Sequence, residues 1–414
     1  MRLMVIATAF ALFAPAGTGN AQDFWRATAG PKAGTVYSLA AKSTGEVFAG
    51  TADSGVYRST VNDSTWTRTS LTSKDVEALV VGSNGYLFAA CGGILFGVLY
   101  CSTDNGISWS KLKSSTAGYS SLSVNPDGNI FLGTSSDSIY RSTDNGNTWQ
   151  SSRLGVTTSV GGFAACSGGV AYACSGKNIF KSTDDGQSWV SMYTSQTYEI
   201  RRICIHPDGY LFANTAGAGV IRSTDNGATW ASSSNGLPIT GGWPILANSH
   251  GDLFVATGIA GGYGGGVFRS SDLGDNWVSV SSGLPAIWIQ SMVVASNGVL
   301  YGGGSNSTIY RSAQPTVGVQ KIPPATALGF ALYQNYPNPF NPTTTINYSI
   351  PKNATVTLKI LDLLGRDIAT LVHGAKSAGM HSVQWTASRF SSGVYLCRLQ
   401  AGTDTEIRKL VLTK

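Results

Sequence analysis

The sequence predicts an all-β protein: a seven-bladed β-propeller followed by a small immunoglobulin-like (Ig-like) β-sandwich. Three observations lead to this prediction. An octapeptide that ends in tryptophan recurs about every 40 residues. Each period also contains two apolar stretches separated by a turn with glycine. Of the 414 residues, 51 are glycine and 17 are tyrosine, and no long stretch has the apolar spacing of an amphipathic helix.

The first 21 residues have the features of an export signal. Arg2 provides a positive start, and residues 3–13 form an apolar run that is too short to span a membrane. Small residues around Ala21 predict cleavage before Gln22, and a site after Ala16 is the alternative. No later segment approaches membrane-spanning length, so we expect a soluble mature chain without a transmembrane segment.

The octapeptide begins with Ser and has Asp, Gly and Trp at its third, fifth and eighth positions. Five near-intact copies, a decayed copy and a partial one begin 40 to 47 residues apart, at Ser102, Ser142, Ser182, Ser223, Ser270, Ser59 and Ser312. Before each copy comes an apolar stretch, a turn such as Asn125-Pro-Asp-Gly128, and a second apolar stretch. In this turn Pro sets φ and Gly accepts a positive φ. Each period therefore predicts four antiparallel strands, the blade of a propeller.

The last period lacks its tryptophan strand, and the start of the mature chain can supply it. Residues 24–30 resemble the segments that follow other copies, so we expect Trp25 to complete the sheet that contains Tyr310. Joining the two ends closes the ring and removes an open sheet edge. The predicted propeller spans residues 22–313.

The octapeptide resembles the Asp-box, or bacterial neuraminidase repeat, found in sialidase-like, sortilin-like and photosystem-assembly-factor-like propellers. The resemblance implies structural boxes on the outer edge of the ring. On physical grounds, the Asp accepts backbone N–H groups of its turn, the Gly takes a positive φ and the Trp packs between strands. A metal or catalytic role for the Asp residues is the alternative. The box residues are Asp104, Gly106, Trp109, Asp144, Gly146, Trp149, Asp184, Gly186, Trp189, Asp225, Gly227, Trp230, Asp272, Gly274 and Trp277.

The repeat alignment places variable residues at the start of the innermost strands, around one mouth of the central channel. We predict a glycan or an extracellular protein as the ligand, and the alternative is that these positions vary because nothing constrains them. Trp243 and Trp288 favour binding, because an exposed Trp is a good anchor. The candidate ligand-binding residues are Tyr37, Asp75, Glu77, Glu199, Arg201, Trp243, Trp288 and Gln290.

The fold does not decide between binding and catalysis. The sequence has no Arg-Ile-Pro motif of sialidases, and five arginines (Arg58, Arg141, Arg222, Arg269 and Arg311) occupy one repeat position, which indicates a scaffold. We therefore predict no catalytic site. The enzyme alternative is a sialidase-like or xyloglucanase-like glycoside hydrolase that uses Asp75, Glu77 or Glu199.

Cysteines, histidines and charge limit the other possibilities. The pairs Cys91–Cys101 and Cys166–Cys174 lie on opposite arms of predicted hairpins, and whether they form disulfides stays open. The four histidines lack metal-ligand spacing, so we expect no metal and no cofactor. The net charge of +6 comes from residues 321–414, while the propeller is neutral with scattered cations. We expect a monomer that does not bind nucleic acid, and a basic tail that is either simply solvated or docks on an anionic partner.

A linker over residues 314–330 leads to a C-terminal module at 331–414. Its motifs are Tyr336-Pro-Asn-Pro-Phe-Asn-Pro342, Ala378-Gly-Met-His381, Gly393-Val-Tyr395 and Lys409-Leu-Val-Leu412. These motifs resemble the type A sorting domain of the type IX secretion system, with Thr386-Ala387 as a small departure. The resemblance implies recognition by the outer-membrane translocon and export to the medium or outer surface of a Gram-negative bacterium. Whether the domain is then cleaved and exchanged for a lipopolysaccharide anchor stays open, and an accessory structural domain is the alternative. The alternating apolar residues independently favour an Ig-like sandwich.

Overall fold

The computed structural model describes residues 23–413 except 32–33, 60–64, 73, 94, 239–240, 259–264, 317–329, 333–334, 336–339 and 378. The predicted export signal, its cleavage sites and most of the predicted linker lie outside the described residues. The described residues form 35 β-strands and no helix, which confirms the all-β class. No described segment is a helix long and apolar enough to cross a membrane.

Strands β1 to β28 form seven four-stranded antiparallel sheets, numbered here in the order of their first strands. The repeated four-stranded sheets confirm the prediction from the octapeptide. The N-terminal strand is β1 (Trp25–Ala27). Sheets 1 to 3 are β2 (Val36–Ala41), β3 (Val47–Thr51), β4 (Gly55–Ser59) and β5 (Trp66–Arg68); β6 (Val76–Val81), β7 (Leu87–Cys91), β8 (Gly97–Ser102) and β9 (Ser110–Ser115); and β10 (Tyr119–Val124), β11 (Ile130–Thr134), β12 (Ser138–Ser142) and β13 (Gln150–Arg153).

The remaining sheets repeat the same order. Sheets 4 to 6 are β14 (Val160–Ala165), β15 (Ala171–Ser175), β16 (Asn178–Ser182) and β17 (Val190–Thr194); β18 (Ile200–Ile205), β19 (Leu211–Thr215), β20 (Val220–Ser223) and β21 (Ala231–Ser232); and β22 (Gly242–Ala247), β23 (Leu253–Thr257), β24 (Val267–Ser270) and β25 (Val278–Ser279). Sheet 7 has three strands in chain order, β26 (Ile289–Val294), β27 (Leu300–Gly304) and β28 (Ile309–Ser312).

The fourth strand of sheet 7 is β1, as the sequence predicts. Trp25 lies opposite Ser312 and Ala27 lies opposite Tyr310. The Trp25 side chain is only 1% exposed, and its indole Nε1 donates to the Val280 carbonyl at 2.7 Å. A buried indole whose N–H is satisfied stabilises the junction of the two chain ends both by apolar burial and by a hydrogen bond.

The sheets contact one another in a closed cycle. The first strand of each sheet contacts the first strand of the next, and β26 of sheet 7 contacts β2 of sheet 1. A separate apolar cluster fills each of the seven junctions between successive sheets. Five second strands have phenylalanine at the same place, each at most 1% exposed: Phe48, Phe88, Phe131, Phe212 and Phe254. The core of this region is therefore a ring of equivalent sheet-to-sheet contacts.

The C-terminal region folds into two further antiparallel sheets around a core of its own. One contains β29 (Ala331–Leu332), β30 (Thr343–Ile350) and β33 (Gly379–Thr386). The other, called the outer sheet below, has the order β32 (Asp367–Lys376), β31 (Ala354–Leu361), β34 (Gly393–Ala401) and β35 (Asp404–Leu412). Apolar side chains from both sheets, among them Ile346, Trp385 and Leu399, form the cluster between them.

Candidate functional site

A β-bulge interrupts the first strand of every one of the seven sheets at the same place. In each pair of first and second strands, the register shifts directly after the first residue of the first strand. The residues displaced by the shift are Tyr37, Glu77, Ser120, Gly161, Arg201, Trp243 with Pro244, and Gln290. A bulge re-aims a side chain and frees it from the alternation of the ladder. The positions that the repeat alignment singled out are therefore the bulge positions.

The bulges define one end of the ring. Because the first strands contact each other in a cycle and all start at this end, their bulged residues surround the central axis there. We call this end the bulge mouth. The opposite end, where each first strand turns into the second, is called the turn mouth.

Acidic groups gather on one side of the bulge mouth, at sheets 1 and 2. Asp75 Oδ1 accepts the backbone N–H of Asp53 at 2.9 Å, and the Asp75 carbonyl accepts the N–H of Gly92. Burial and the neighbouring Asp75 raise the pKa of Glu77. Burial, Glu77, Asp75 and Asp53 raise the pKa of Tyr37 in that order. These pKa shifts show that Tyr37, Asp53, Asp75 and Glu77 are close enough for their charges to interact.

Basic groups lie on the other side of the ring, at sheet 5. Arg201 Nη2 is 3.3 Å from Glu199 Oε2, so the structure brings together two of the predicted residues. Glu199 is exposed and Arg201 is partly exposed. The next residue, Arg202, interacts electrostatically with Glu77 of sheet 2. Since sheets 2 and 5 are not neighbours in the cycle, this interaction crosses the central axis.

Arg202 is a channel residue that the sequence analysis missed. Its guanidinium donates to the carbonyls of Gly161 and Arg201, and burial lowers its pKa. A Cβ at Gly162 would lie 3.2 Å from the Arg202 Cδ atom, so the glycine leaves room for the arginine. In the sequence, the signal for this contact was a pair of glycines in one repeat that aligns with an arginine in the following repeat.

Three other sheets have a serine at the position that Arg202 occupies in sheet 5. In those sheets the serine has a structural role. Ser38, Ser121 and Ser291 each donate their hydroxyl to the first-strand carbonyl of the next sheet, at 3.2, 2.8 and 3.2 Å. These bonds join consecutive sheets close to the axis. Arg202 therefore departs from a position that elsewhere serves the ring itself.

The aromatic candidates differ from the prediction. Trp288 was expected to be exposed, but it is partly buried against Gly258, where a Cβ would come within 1.7 Å of the indole Nε1. Among the described residues, that Nε1 has no hydrogen-bond partner. The backbone of Trp243 lies in the bulge of sheet 6, and its side chain lies outside the described atoms. Gln290 is partly buried in the bulge of sheet 7.

The Asp-boxes sit at the opposite end of the repeat, between third and fourth strands. Asp104 Oδ1 accepts the Ser108 N–H at 2.9 Å and the Ser102 hydroxyl at 2.8 Å, and Gly106 has a φ of 83°. The Ser102 Oγ in turn accepts the Gly106 N–H at 2.8 Å. The boxes of Asp144, Asp184, Asp225 and Asp272 repeat these bonds.

The bonds within the boxes support the structural role that the sequence predicts. Hydrogen bonds from the Ser108 side chain and backbone, and then from Ser102, lower the pKa of Asp104 to about 2. The equivalent groups lower the pKa of Asp144, Asp184 and Asp225 to about 2. The oxygen atoms of these carboxylates accept hydrogen bonds from their own turns. The recurrence of serine at the start of each copy was visible in the sequence, but its role as the acceptor of the glycine N–H was not predicted.

Among the repeated arginines, Arg222 and Arg269 form ion pairs with aspartates. Arg222 contacts Asp275 at 2.7 Å and Arg269 contacts Asp252 at 2.9 Å, consistent with a scaffold role.

All six cysteines are free thiols. Cys91 lies opposite Val98 and Cys101 lies opposite Phe88, so the two thiols point to opposite faces of sheet 2.

The second possible disulfide is also not formed. Cys174 lies opposite Gly162, whereas the Cys166 N–H bonds to the Val170 carbonyl near the turn. The two residues are thus several rungs apart along the ladder, at about 3.3 Å per rung. The sequence left both pairings open, and strand register keeps the two thiols of each pair apart. Among the described residues, no group of three or more His, Cys, Asp or Glu side chains is placed to hold a metal ion.

A cavity of about 800 Å³ lies at the turn mouth rather than at the predicted site. Its floor includes the last residues of four first strands, and its rim includes Lys42 and Asn105. Every first strand ends in a partly exposed apolar residue: Ala41, Val81, Val124, Ala165, Ile205, Ala247 and Val294. This surface was not predicted. Its uniform apolar character contrasts with the diversity of the bulge residues.

Family models match three parts of the sequence. Residues 334–413 match the secretion system C-terminal sorting domain, residues 121–242 match the DUF6242 beta propeller domain, and residues 100–111 match the BNR/Asp-box repeat. No curated protein matches the sequence.

Solved β-propellers resemble the structure at low sequence identity. YCF48 bound to D1 peptide is 17% identical with a TM-score of 0.55, over 70% of this chain and 97% of that one. Virginiamycin B lyase from Staphylococcus aureus is 15% identical with a TM-score of 0.58, over 69% of this chain and 97% of the other. The WD40 beta propeller domain of Doa1 is 15% identical with a TM-score of 0.56, over 72% and 99%. At these identities the likeness concerns the fold alone.

The C-terminal match explains the motifs of residues 336–412. A sorting domain of this kind directs a protein to the secretion machinery and, by type IX export, to the cell surface or the extracellular space. The chain is therefore an exported β-propeller protein with BNR/Asp-box repeats and a secretion system C-terminal sorting domain.

Proposed function

We propose that this chain is a non-catalytic binding protein whose bulge mouth recognises an extracellular protein or a glycan. In this proposal the seven sheets are the blades of one seven-bladed propeller over residues 22–313. A signal peptide at 1–21 precedes it, a linker at 314–330 follows it, and an Ig-like sorting domain occupies 331–414. The closed cycle of first strands and the seven junction clusters support the blade count.

The observation that carries the proposal is the diversity of the bulge residues. Seven equivalent backbone positions hold seven different leading residue types, namely Tyr, Glu, Ser, Gly, Arg, Trp and Gln. A ligand without sevenfold symmetry needs different groups at different sides of the channel. In repeat proteins, a uniform scaffold with one variable surface is the usual arrangement of a recognition site.

The charges at the bulge mouth favour a polypeptide ligand over a neutral glycan. Asp75 and Glu77 lie on one side of the axis, and Arg201, paired with Glu199, lies with Arg202 on the other. A polypeptide segment with charges of both signs is complementary to such a mouth. The partial burial of Trp288 removes one of the aromatic platforms that a sugar would use. One similar propeller, YCF48, has been solved with a bound peptide, which shows that the fold can hold this class of ligand.

Binding to arrays of synthetic peptides and of glycans tests the proposal. The purified full-length chain should bind a subset of charged peptides, and Glu77→Gln or Arg201→Gln should weaken binding at least about tenfold, or about 1.4 kcal/mol. Lys111→Gln, on the exposed outer strand β9, is the matched control and should bind like the wild type. Binding that neither mouth variant changes would exclude the bulge mouth, and variants of Lys42 at the turn mouth would then test the cavity there.

A glycoside hydrolase is the second candidate, because the pKa of Glu77 is raised. A carboxylic acid with a raised pKa is better suited than an ordinary one to act as a general acid, with Asp75 or Glu199 as its carboxylate partner. In that case fluorogenic glycosides would be hydrolysed, and Glu77→Gln would abolish turnover while leaving substrate binding intact. Absence of turnover together with peptide binding would favour the first candidate.

A further inference from the structure

The outward face of the outer sheet is an unusual solvent-facing surface. Its inward-facing residues, such as Leu358 and Leu399, belong to the domain core. The residues that alternate with them along each strand therefore face outward. On that face Lys359 lies opposite Arg398, and Arg398 lies opposite Ile407. Two residues further along β34, Leu396 lies opposite Lys409, and both are at least partly exposed. An antiparallel sheet with one solvated face normally presents polar residues there.

Two strongly exposed leucines adjoin this face. Leu363 and Leu364 are 66% and 78% exposed in the turn between β31 and β32. The turn follows Leu361, which is buried and lies opposite the partly exposed Leu396, so it leaves the sheet beside Leu396. Ile407 on the same face is 48% exposed. Adjacent exposed aliphatic side chains on a small domain indicate a contact surface for another molecule.

Hydrogen bonds within the turn stabilise its conformation. Asp362 Oδ1 accepts the N–H groups of Leu364 and Arg366 at 2.9 and 3.0 Å, and Oδ2 accepts Arg366 Nε at 2.6 Å. Gly365 has a φ of 80°, a left-handed conformation that favours glycine. A preorganised turn loses little conformational entropy on binding, so its leucines can serve as anchors.

The positive charge of the outward face favours an acidic partner. Lys359 and Arg398 both contact one carboxylate, Asp367, at 2.6 and 3.7 Å, and Lys409 adds a further cation. The face is therefore net positive, in a region that holds the whole net charge of the chain. An acidic protein surface with an apolar socket is complementary to it.

We propose that the outward face of β31, β34 and β35, anchored by Leu363 and Leu364, is the surface with which the sorting domain docks on an acidic face of the outer-membrane translocon. This inference goes beyond ligand binding at the bulge mouth, and the two can fail separately. The channel residues belong to the propeller, whereas every residue invoked here belongs to the C-terminal domain.

Export of the full-length precursor from a bacterium with type IX secretion tests this proposal. The variant Leu363→Ser with Leu364→Ser should accumulate in the periplasm, with surface and medium protein reduced about tenfold, the effect of losing a hydrophobic anchor. The matched control is Ile107→Ser with Val278→Ser, two residues of the propeller that are 73% and 67% exposed. The control should be exported like the wild type.

A second variant and two physical measurements keep the result interpretable. Lys359→Gln with Arg398→Gln changes only exposed or partly exposed charges and should reduce export about threefold through lost charge complementarity. Thermal unfolding and trypsin resistance of each purified chain identify a folding defect, and if the leucine variant has one, the charge variant decides. Wild-type export of the correctly folded variants would overturn the proposal. So would leucine-dependent co-sedimentation with vesicles of phosphatidylglycerol and phosphatidylcholine, because the surface would then bind membrane.

Discussion

The Asp-box end and the bulge end of the same repeat follow opposite rules. In the boxes, five copies keep the same residues and make the same hydrogen bonds. At the bulges, seven sheets keep the same backbone distortion and change the residue each time. A box side chain is required by its own turn, whereas the bulge does not require one residue type. Ser120 is the bulged residue that does serve the sheets, because its hydroxyl donates to the carbonyls of Thr134 and Val160 at 2.8 Å. The scaffold therefore fixes one end of the repeat and leaves the other end available for recognition.

The carboxylates of the two ends show the same contrast in their electrostatics. Asp104 accepts three hydrogen bonds from its turn, and its pKa falls to about 2. Glu77 lies among other acids in a partly buried position, and its pKa is raised. Ionisation thus stabilises the fold at the box and opposes it at the bulge mouth.

The largest effect is expected where the ring closes. Trp25→Ala removes a side chain that is 1% exposed together with its hydrogen bond to Val280, and should cost about 3–5 kcal/mol in the free energy of unfolding. Denaturant unfolding of the full-length chain measures this loss. Trp66→Ala, in the decayed box of sheet 1, is the control and should cost clearly less, because that indole is partly exposed. Equal losses would show that β1 has no special part in closing the ring.

Within one box, the buried serine should matter more than the exposed one. Ser102 is 1% exposed and its hydroxyl satisfies the Gly106 N–H, so Ser102→Ala should reduce stability by about 1–3 kcal/mol. Ser108→Ala removes an exposed hydroxyl whose place water can take, and its effect should be smaller. Thermal unfolding of the two variants makes the comparison. A larger loss for Ser108→Ala would contradict the assignment of the serine as the centre of the box.

The pH dependence of the boxes has a definite sign. The lowered pKa of Asp104 and Asp144 means that their stabilisation is present above the ordinary value of 3.8 and is lost as the pH falls towards about 2. Asp104→Asn with Asp144→Asn should therefore lower the midpoint of thermal unfolding at pH 7. The difference from the wild type should shrink as the pH approaches about 2. A difference that does not change with pH would mean that the carboxylate charge is irrelevant to the turn.

The smallest effect, of opposite sign, is expected at the bulge mouth. A raised pKa means that ionisation of Glu77 costs stability above its ordinary value of 4.5 and costs nothing below it. Glu77→Gln should accordingly raise the thermal midpoint slightly at pH 7 and leave it unchanged well below pH 4.5. A fall at pH 7 would show that Glu77 serves the fold, through Arg202, rather than a ligand.

The sequence predicted what repeats and missed what depends on contacts between repeats. The spacing of the octapeptide was sufficient for the four-stranded sheets, and the tryptophan missing from the last period pointed to Trp25. Alignment of the repeats found the bulge positions, because a bulge at a fixed place leaves a fixed spacing to the next turn. Arg202 was missed because its place is created by glycines of another sheet, and the free thiols of Cys91 and Cys101 follow from register alone. The apolar turn mouth was visible in sequence only as seven ordinary strand ends.

The central claim, that boxes hold the ring together while bulges are free of that task, can be tested by comparing two multiple variants. One replaces the first serine by Ala in four boxes, at Ser102, Ser142, Ser182 and Ser223. The other replaces four bulge residues by Ser, at Tyr37, Glu77, Arg201 and Gln290. In thermal unfolding of the full-length chains, the box variant should lose most of the propeller's stability, and the bulge variant should unfold close to the wild-type midpoint. A bulge variant that unfolds as early as the box variant would contradict the account.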